Sequence, residues 1–171
     1  MRIAYKKTDL YTLTSKKSRT NKVIYDDSIQ SLKFNVLNDK HVEEKLSFSK
    51  FIVSADTVET YFDRDYKTDM TKSPDHFIFL SALVNLQKMI YLLMCERFNV
   101  PYKKNGKERF KIWPINVDVK MNGMIRRKKN LMQDFKINAI EKKSNTKYHI
   151  SGESSSDSTV YIKGTALVYL I

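Results

Sequence analysis

The stretch from Ser73 to Asn99, SPDHFIFLSALVNLQKMIYLLMCERFN, decides the fold. Its apolar residues run almost all the way round a helix, whereas a surface helix carries one apolar stripe. Such a helix has to be enclosed. Its start is well specified. Ser73 can cap free N–H groups, Pro74 fits the first helical position, and Asp75 favours the positive end of the helix dipole. Asn99 and Pro101 mark its end. The pattern predicts a helix over 74–98, ~37 Å long at ~1.5 Å per residue. A rod of that length needs a wide apolar surface to wrap it.

Strand signals lie on both sides of the helix. Downstream, Ile115, Val117, Val119 and Met121 alternate strictly with Asn116, Asp118, Lys120 and Asn122, as in a strand covered on one face. Phe135, Ile137 and Ala139 share a face of the next strand, and Tyr148, Ile150 and Gly152 a face of a third. KKSNTK and SSSDS are turn-like. Val160 to Leu170 closes the series as a more central strand, apolar on both faces after Gly164. Upstream, Lys22 to Tyr25, LKFNVL (with Leu32, Phe34 and Val36 on one face) and Leu46 to Ala55 read as strands. MRIAYKK and DLYTLT each fit a short strand, SKKSRTNK an exposed loop, and Asp56 to Met70 a charged, irregular segment with short helical turns. One long helix among antiparallel strands is an α+β arrangement, the helix lying on one face of a curved sheet.

The chain of 171 residues suits one domain, and 42% apolar residues supply a core. No repeat or linker divides it. Residues 1–45 read as strands and a basic loop that belong to or extend a main unit over 46–171. Lys and Arg outnumber Asp and Glu by 31 to 19, a net charge of +12. That points to an anionic partner, or to a Lys-rich solvated surface with none. The single cysteine, Cys95, rules out a disulfide framework within the chain and fits a reducing cytoplasm. The first residues carry charge but no apolar leader segment. Phe77 to Cys95 approaches the ~20 residues of a membrane span. Ser81, Asn85, Gln87 and Lys88 inside it favour a buried soluble helix and no span.

Three groups of residues could carry chemistry. Asp75 and His76 stand at the expected helix start, where His76 could act as a general base and free N–H groups could hold an oxyanion. The plain alternative is two first-turn residues, one favourable to the dipole and one solvated. Within the helix, Asn85 and Gln87 could bind a substrate headgroup, or simply meet a neighbouring element. Arg126, Arg127, Lys128 and Lys129 form the densest basic run, suited to a phosphate or an acidic carrier protein, or to a solvated turn. His41 and His149 lack a motif, and no cluster has metal-ligand spacing, so neither a metal nor a cofactor is expected. Basic residues interleaved with aromatics permit nucleic-acid binding, without any recognised motif for it.

The helix start SPDHF with its long apolar continuation resembles that of dehydratase-like members of the hotdog superfamily. The closing YIKGTALVYL resembles their last strand. The run DHFIFLSALVNLQKMIYLLM is most similar to the avirulence D family. The resemblance implies a central helix wrapped by a curved antiparallel sheet. It also implies action on acyl thioesters, carried by coenzyme A or an acyl carrier protein, in specialised metabolite or signal-molecule biosynthesis. Asp75 and His76 would be the catalytic pair. No Glu or Asp occurs between His76 and Glu96, so the helix lacks the acid that dehydratases of this fold carry. Avirulence D proteins resemble two hotdog halves in one chain, so this chain would pair with a second copy or another hotdog subunit. Two alternatives stay open: a non-catalytic acyl-binding or pairing subunit, and a basic nucleic-acid-binding domain.

Overall fold

The computed structural model describes residues 21–37, 39–102 and 106–171. The strands and loop expected over 1–20 lie outside the described residues. The elements are β1 (Lys22–Tyr25), β2 (Ile29–Leu37), β3 (Lys40–Val53), β4 (Thr57–Thr68), α1 (Phe79–Arg97), β5 (Phe110–Met121), β6 (Leu131–Lys142), β7 (Lys147–Ser156) and β8 (Val160–Leu170). The strands form one sheet in the order β1-β3-β4-β6-β7-β8-β5, with β2 also on β3. Every pairing is antiparallel. Helix α1 links the internal strand β4 to the edge strand β5 and packs on one face of the sheet. This is the hotdog arrangement expected from the sequence.

The core lies between that face and the inner side of α1. Ala82, Met89, Leu92, Leu93 and Met94 meet Leu46, Phe51, Phe62, Leu131, Ile150 and Val168, all buried. Phe48, Phe51, Phe62 and Phe77 form a chain of rings with centroids 5.4 to 5.8 Å apart. By length and composition α1 could cross a membrane, yet half of its most apolar window is buried within this fold.

Three readings of the sequence need correction. The helix runs from Phe79 to Arg97 rather than over 74–98. The lead-in is held extended because its amides are used elsewhere. Phe77 N–H donates to the Ile125 carbonyl (2.8 Å) and Ile78 N–H to Glu44 Oε2 (3.1 Å). Ser73 caps nothing; its hydroxyl bonds that of Tyr66 (2.9 Å). The charged segment 56–70 is not irregular but holds β4, an internal strand. Val58, Thr60, Phe62 and Arg64 point inward along it, all buried. The enclosure of α1 is also incomplete, since Phe79 (38%), Val84 (41%) and Gln87 remain exposed along one side.

Two ion pairs tie the first strands to the helix: Lys22 of β1 with Glu96 (3.2 Å) at the surface, and a more buried pair at Lys88. Lys88 Nζ reaches Asp26 Oδ2 (2.6 Å) and Ser28 Oγ (2.7 Å), and lies over the rings of Phe48 and Phe51. Burial pushes the Asp26 carboxyl up, but Lys88 and Ser28 outweigh it and bring it from 3.8 down to about 2. A lowered carboxylate stabilises the fold above its unfolded value, and that stability is lost as pH falls through its folded value. Asp26→Asn is therefore expected to cost about 2 kcal/mol at neutral pH. It should also flatten the decline in stability between pH 4 and 2, as read by urea denaturation across that range. An unchanged acid decline would contradict this assignment.

Candidate functional site

Two places gather the residues that the sequence singles out. The first is the start of α1. Glu44, from β3, is fully buried there and takes the place of a helix cap. Its Oε1 accepts from Arg64 Nε (2.8 Å), and Arg64 Nη2 donates to Asp75 Oδ1 (2.6 Å). Lys128 Nζ completes the chain on Asp75 Oδ2 (2.8 Å). The charges thus alternate from the interior outward: Glu44, Arg64, Asp75, Lys128. Burial pushes the Glu44 carboxyl above its ordinary value, against Ser81, Arg64 and the Ile78 amide. Burial also works against charge on Asp75, but Lys128 and Arg64 outweigh it and hold that carboxyl below its ordinary value. His76 Nδ1 contacts the Pro74 carbonyl oxygen (2.8 Å), and its ring stands 6.4 Å from that of Tyr66.

The basic run passes across this end of the helix. Arg64 N–H donates to the Lys128 carbonyl (2.8 Å), which pins the run beside β4. Lys129 pairs with Asp63 and Arg127 with Asp157, while Arg126 is exposed. The structure therefore brings Asp75, His76 and Arg126 to Lys129 together. Glu44 and Arg64 complete that cluster, and sequence reasoning missed both. The available signal was an Arg at an inward position of an alternating strand, which demands a buried counter-charge.

The second place is a cavity of about 290 Å³ between α1 and the β5 side of the sheet. Leu83, Leu86, Gln87 and Ile90 roof it. Ile112, Pro114, Asn116 and Val117 of β5 line one side, and Ile150, Ile162 and Ala166 the floor. Its walls are overwhelmingly apolar, with Gln87, Asn116 and Thr165 as polar groups. Gln87 thus lines the cavity, whereas Asn85 faces the sheet. Asn85 Nδ2 donates to Gln133 Oε1 (2.8 Å), and Gln133 Nε2 bonds Ala82 O and Ser154 Oγ. Asp75 and His76 do not line the cavity. Gln87 stands eight residues into α1, ~12 Å along its axis from Phe79. Among the described residues no three His, Cys, Asp or Glu side chains gather to hold a metal ion.

No protein-family profile and no curated protein matches this sequence. Solved structures resemble it in fold. A thioesterase from Pseudomonas aeruginosa aligns over 74% of this chain and 82% of its own at 10% identity and a TM-score of 0.44. A thioesterase from Haemophilus influenzae aligns over 73% and 78% at 9% identity and 0.44. A protein from Helicobacter felis aligns over 70% and 74% at 12% identity and 0.39. At these values the likeness is one of chain path, and it carries no residue roles.

Proposed function

We propose that this chain holds the acyl part of an acyl thioester, delivered on coenzyme A or an acyl carrier protein, in the cavity between α1 and β5. The observation that carries this reading is the cavity itself. It is apolar within and polar at its exposed side, as an amphipathic ligand requires. Specialised metabolite or signal-molecule synthesis of the avirulence D kind is the finer version, supported by the likeness of the 75–94 run.

The proposed unit contains a second copy. Among the described residues β5 ends the sheet with no strand on its outer side, and Trp113 (68%), Ile115 (55%), Val117 (42%) and Met121 (42%) stand exposed along it. Val84 continues this surface on α1. Proteins manage or cover so apolar an edge, and a two-fold partner covers like with like.

A second reading makes the protein an enzyme, with His76 as base beside Asp75. It is favoured by the Arg126 to Lys129 run at the same end of the helix, which suits a phosphate or carrier protein. One experiment separates these readings. The purified chain is incubated with a panel of acyl-coenzyme A and acyl-carrier-protein thioesters and followed by native and product mass spectrometry. A dimer that retains acyl ligand without turnover is the expected result. Turnover abolished by His76→Ala with the dimer intact would establish the catalytic reading. Neither retention nor turnover would sink both, and nucleic-acid binding with a steep salt slope would favour the third possibility.

A further inference from the structure

The cavity has a direction. Its exposed members are Gln87 on α1 and Pro114, Asn116 and Val117 on β5, all at the sheet edge. Its single member from β6 is Phe135, which is 3% exposed. Between them lie β8 and β7, and the Phe135 ring reaches over β7, so the cavity crosses about two strand spacings, ~10 Å at ~4.8 Å each. The mouth holds the polar groups; the interior is Leu83, Leu86, Ile150, Ile162 and Ala166. At the inner end the Phe135 ring lies directly over Gly152. A Cβ there would stand 2.5 Å from Phe135 Cε2 and 2.8 Å from Cζ. Glycine at 152 thus seats the ring, and the ring closes the cavity.

We propose that Phe135 is a length gauge, and that the cavity accepts an acyl chain of about eight to ten carbons. This rests on the acyl-thioester reading above and adds the class of chain to it. Counting a methylene as the ~30 Å³ that a water occupies in the liquid, a cavity of about 290 Å³ holds roughly nine or ten carbons. A shorter chain leaves the inner end unfilled. A longer one meets the Phe135 ring and must leave its remainder outside the mouth.

The test is titration calorimetry of the full chain with saturated acyl-coenzyme A thioesters from two to sixteen carbons, with free coenzyme A as the blank. Affinity should rise about fourfold per buried methylene and then level off at eight to ten carbons. Phe135→Ala should move that break about three carbons longer. Ala166→Leu, which adds bulk to the floor and deletes nothing, should move it two or three carbons shorter. The second variant keeps the test decisive if the first does not fold. A break at another length, or one that Ala166→Leu leaves in place, would overturn the gauge. Length-independent binding would overturn it while sparing the thioester reading. Binding no stronger than that of free coenzyme A would overturn both.

Discussion

Replacing Arg64 with alanine is expected to cost about 3–5 kcal/mol, the largest loss of any single side chain in the cluster at the helix start. Arg64 is 3% exposed and links two carboxylates, Glu44 at 2.8 Å and Asp75 at 2.6 Å. Its removal leaves Glu44 buried with the Ile78 amide as donor, at 3.1 Å, and the Ser81 hydroxyl, neither of which carries a charge. A buried carboxylate without its counter-ion must either stay charged at high cost or take up a proton. The damage does not stop there. Glu44 is what caps α1, so its proton would weaken the anchoring of the helix start as well.

The sign of the pH dependence follows. Glu44 already has a raised value in the folded protein, so the folded state binds its proton more readily than the unfolded chain. Its contribution is complete below the unfolded value and declines as pH rises through the folded one. In Arg64→Ala that decline should steepen, and acid should partly restore stability. The paired change Glu44→Leu with Arg64→Leu removes both charges and should recover most of the loss, because an apolar pair needs no compensation. Guanidinium denaturation of the unaltered protein and the two variants at two pH values checks this. A loss in Arg64→Ala below about 1 kcal/mol would mean that the ion pair is idle.

The same arginine explains where the sequence was legible and where it was not. The strands after the helix were readable because Phe135, Ile137, Tyr148 and Ile150 obey simple alternation and face the core, whereas Ala139 is exposed because β6 shifts register after Ile137. Strand β4 was not, because Arg64 occupies an inward position and Asp63 and Asp65 flank it. A charge at a core position breaks the periodic signal, and only a distant partner on β3 makes it tolerable. The helix start failed for a related reason. Ser73, Pro74 and Asp75 form a sound local signal, but Glu44 and Ile125 claimed the amides that the local signal would have used. Of the candidate site, Gln87 was legible from its place on the helix. The cavity was not, since Phe135, Gly152 and Asn116 meet only after four strands align. The alternation from Ile115 to Met121 was real, yet Ile115, Val117 and Met121 are exposed. An edge strand has the pattern of burial and, among the described residues, nothing packed over that face.

Gly164→Ala is expected to cost about 3 kcal/mol, at the upper end of overpacking effects. A Cβ at 164 would stand 2.2 Å from the Asn116 carbonyl oxygen, 3.2 Å from its carbon and 3.3 Å from Val117 Cα. These are backbone atoms, so no side-chain rotation relieves the clash. The close approach exists because β5 shifts register between Pro114 and Asn116, a bulge that drives its chain against β8. A single methyl group must therefore push β5 away along the pairing that holds Asn116 to Thr165 and Val117 to Gly164. β5 supplies Ile112, Pro114, Asn116 and Val117 to the cavity, so acyl affinity should fall by about tenfold with stability, the equivalent of two or so methylenes. Gly123→Ala is the control: its Cβ would meet only Thr159 Cγ2 at 3.7 Å, an ordinary contact. It should change stability by less than about 0.5 kcal/mol. If Gly164→Ala proved as mild as that control in urea denaturation, β5 would have to be free to move, and a cavity walled by a mobile strand could not measure chain length.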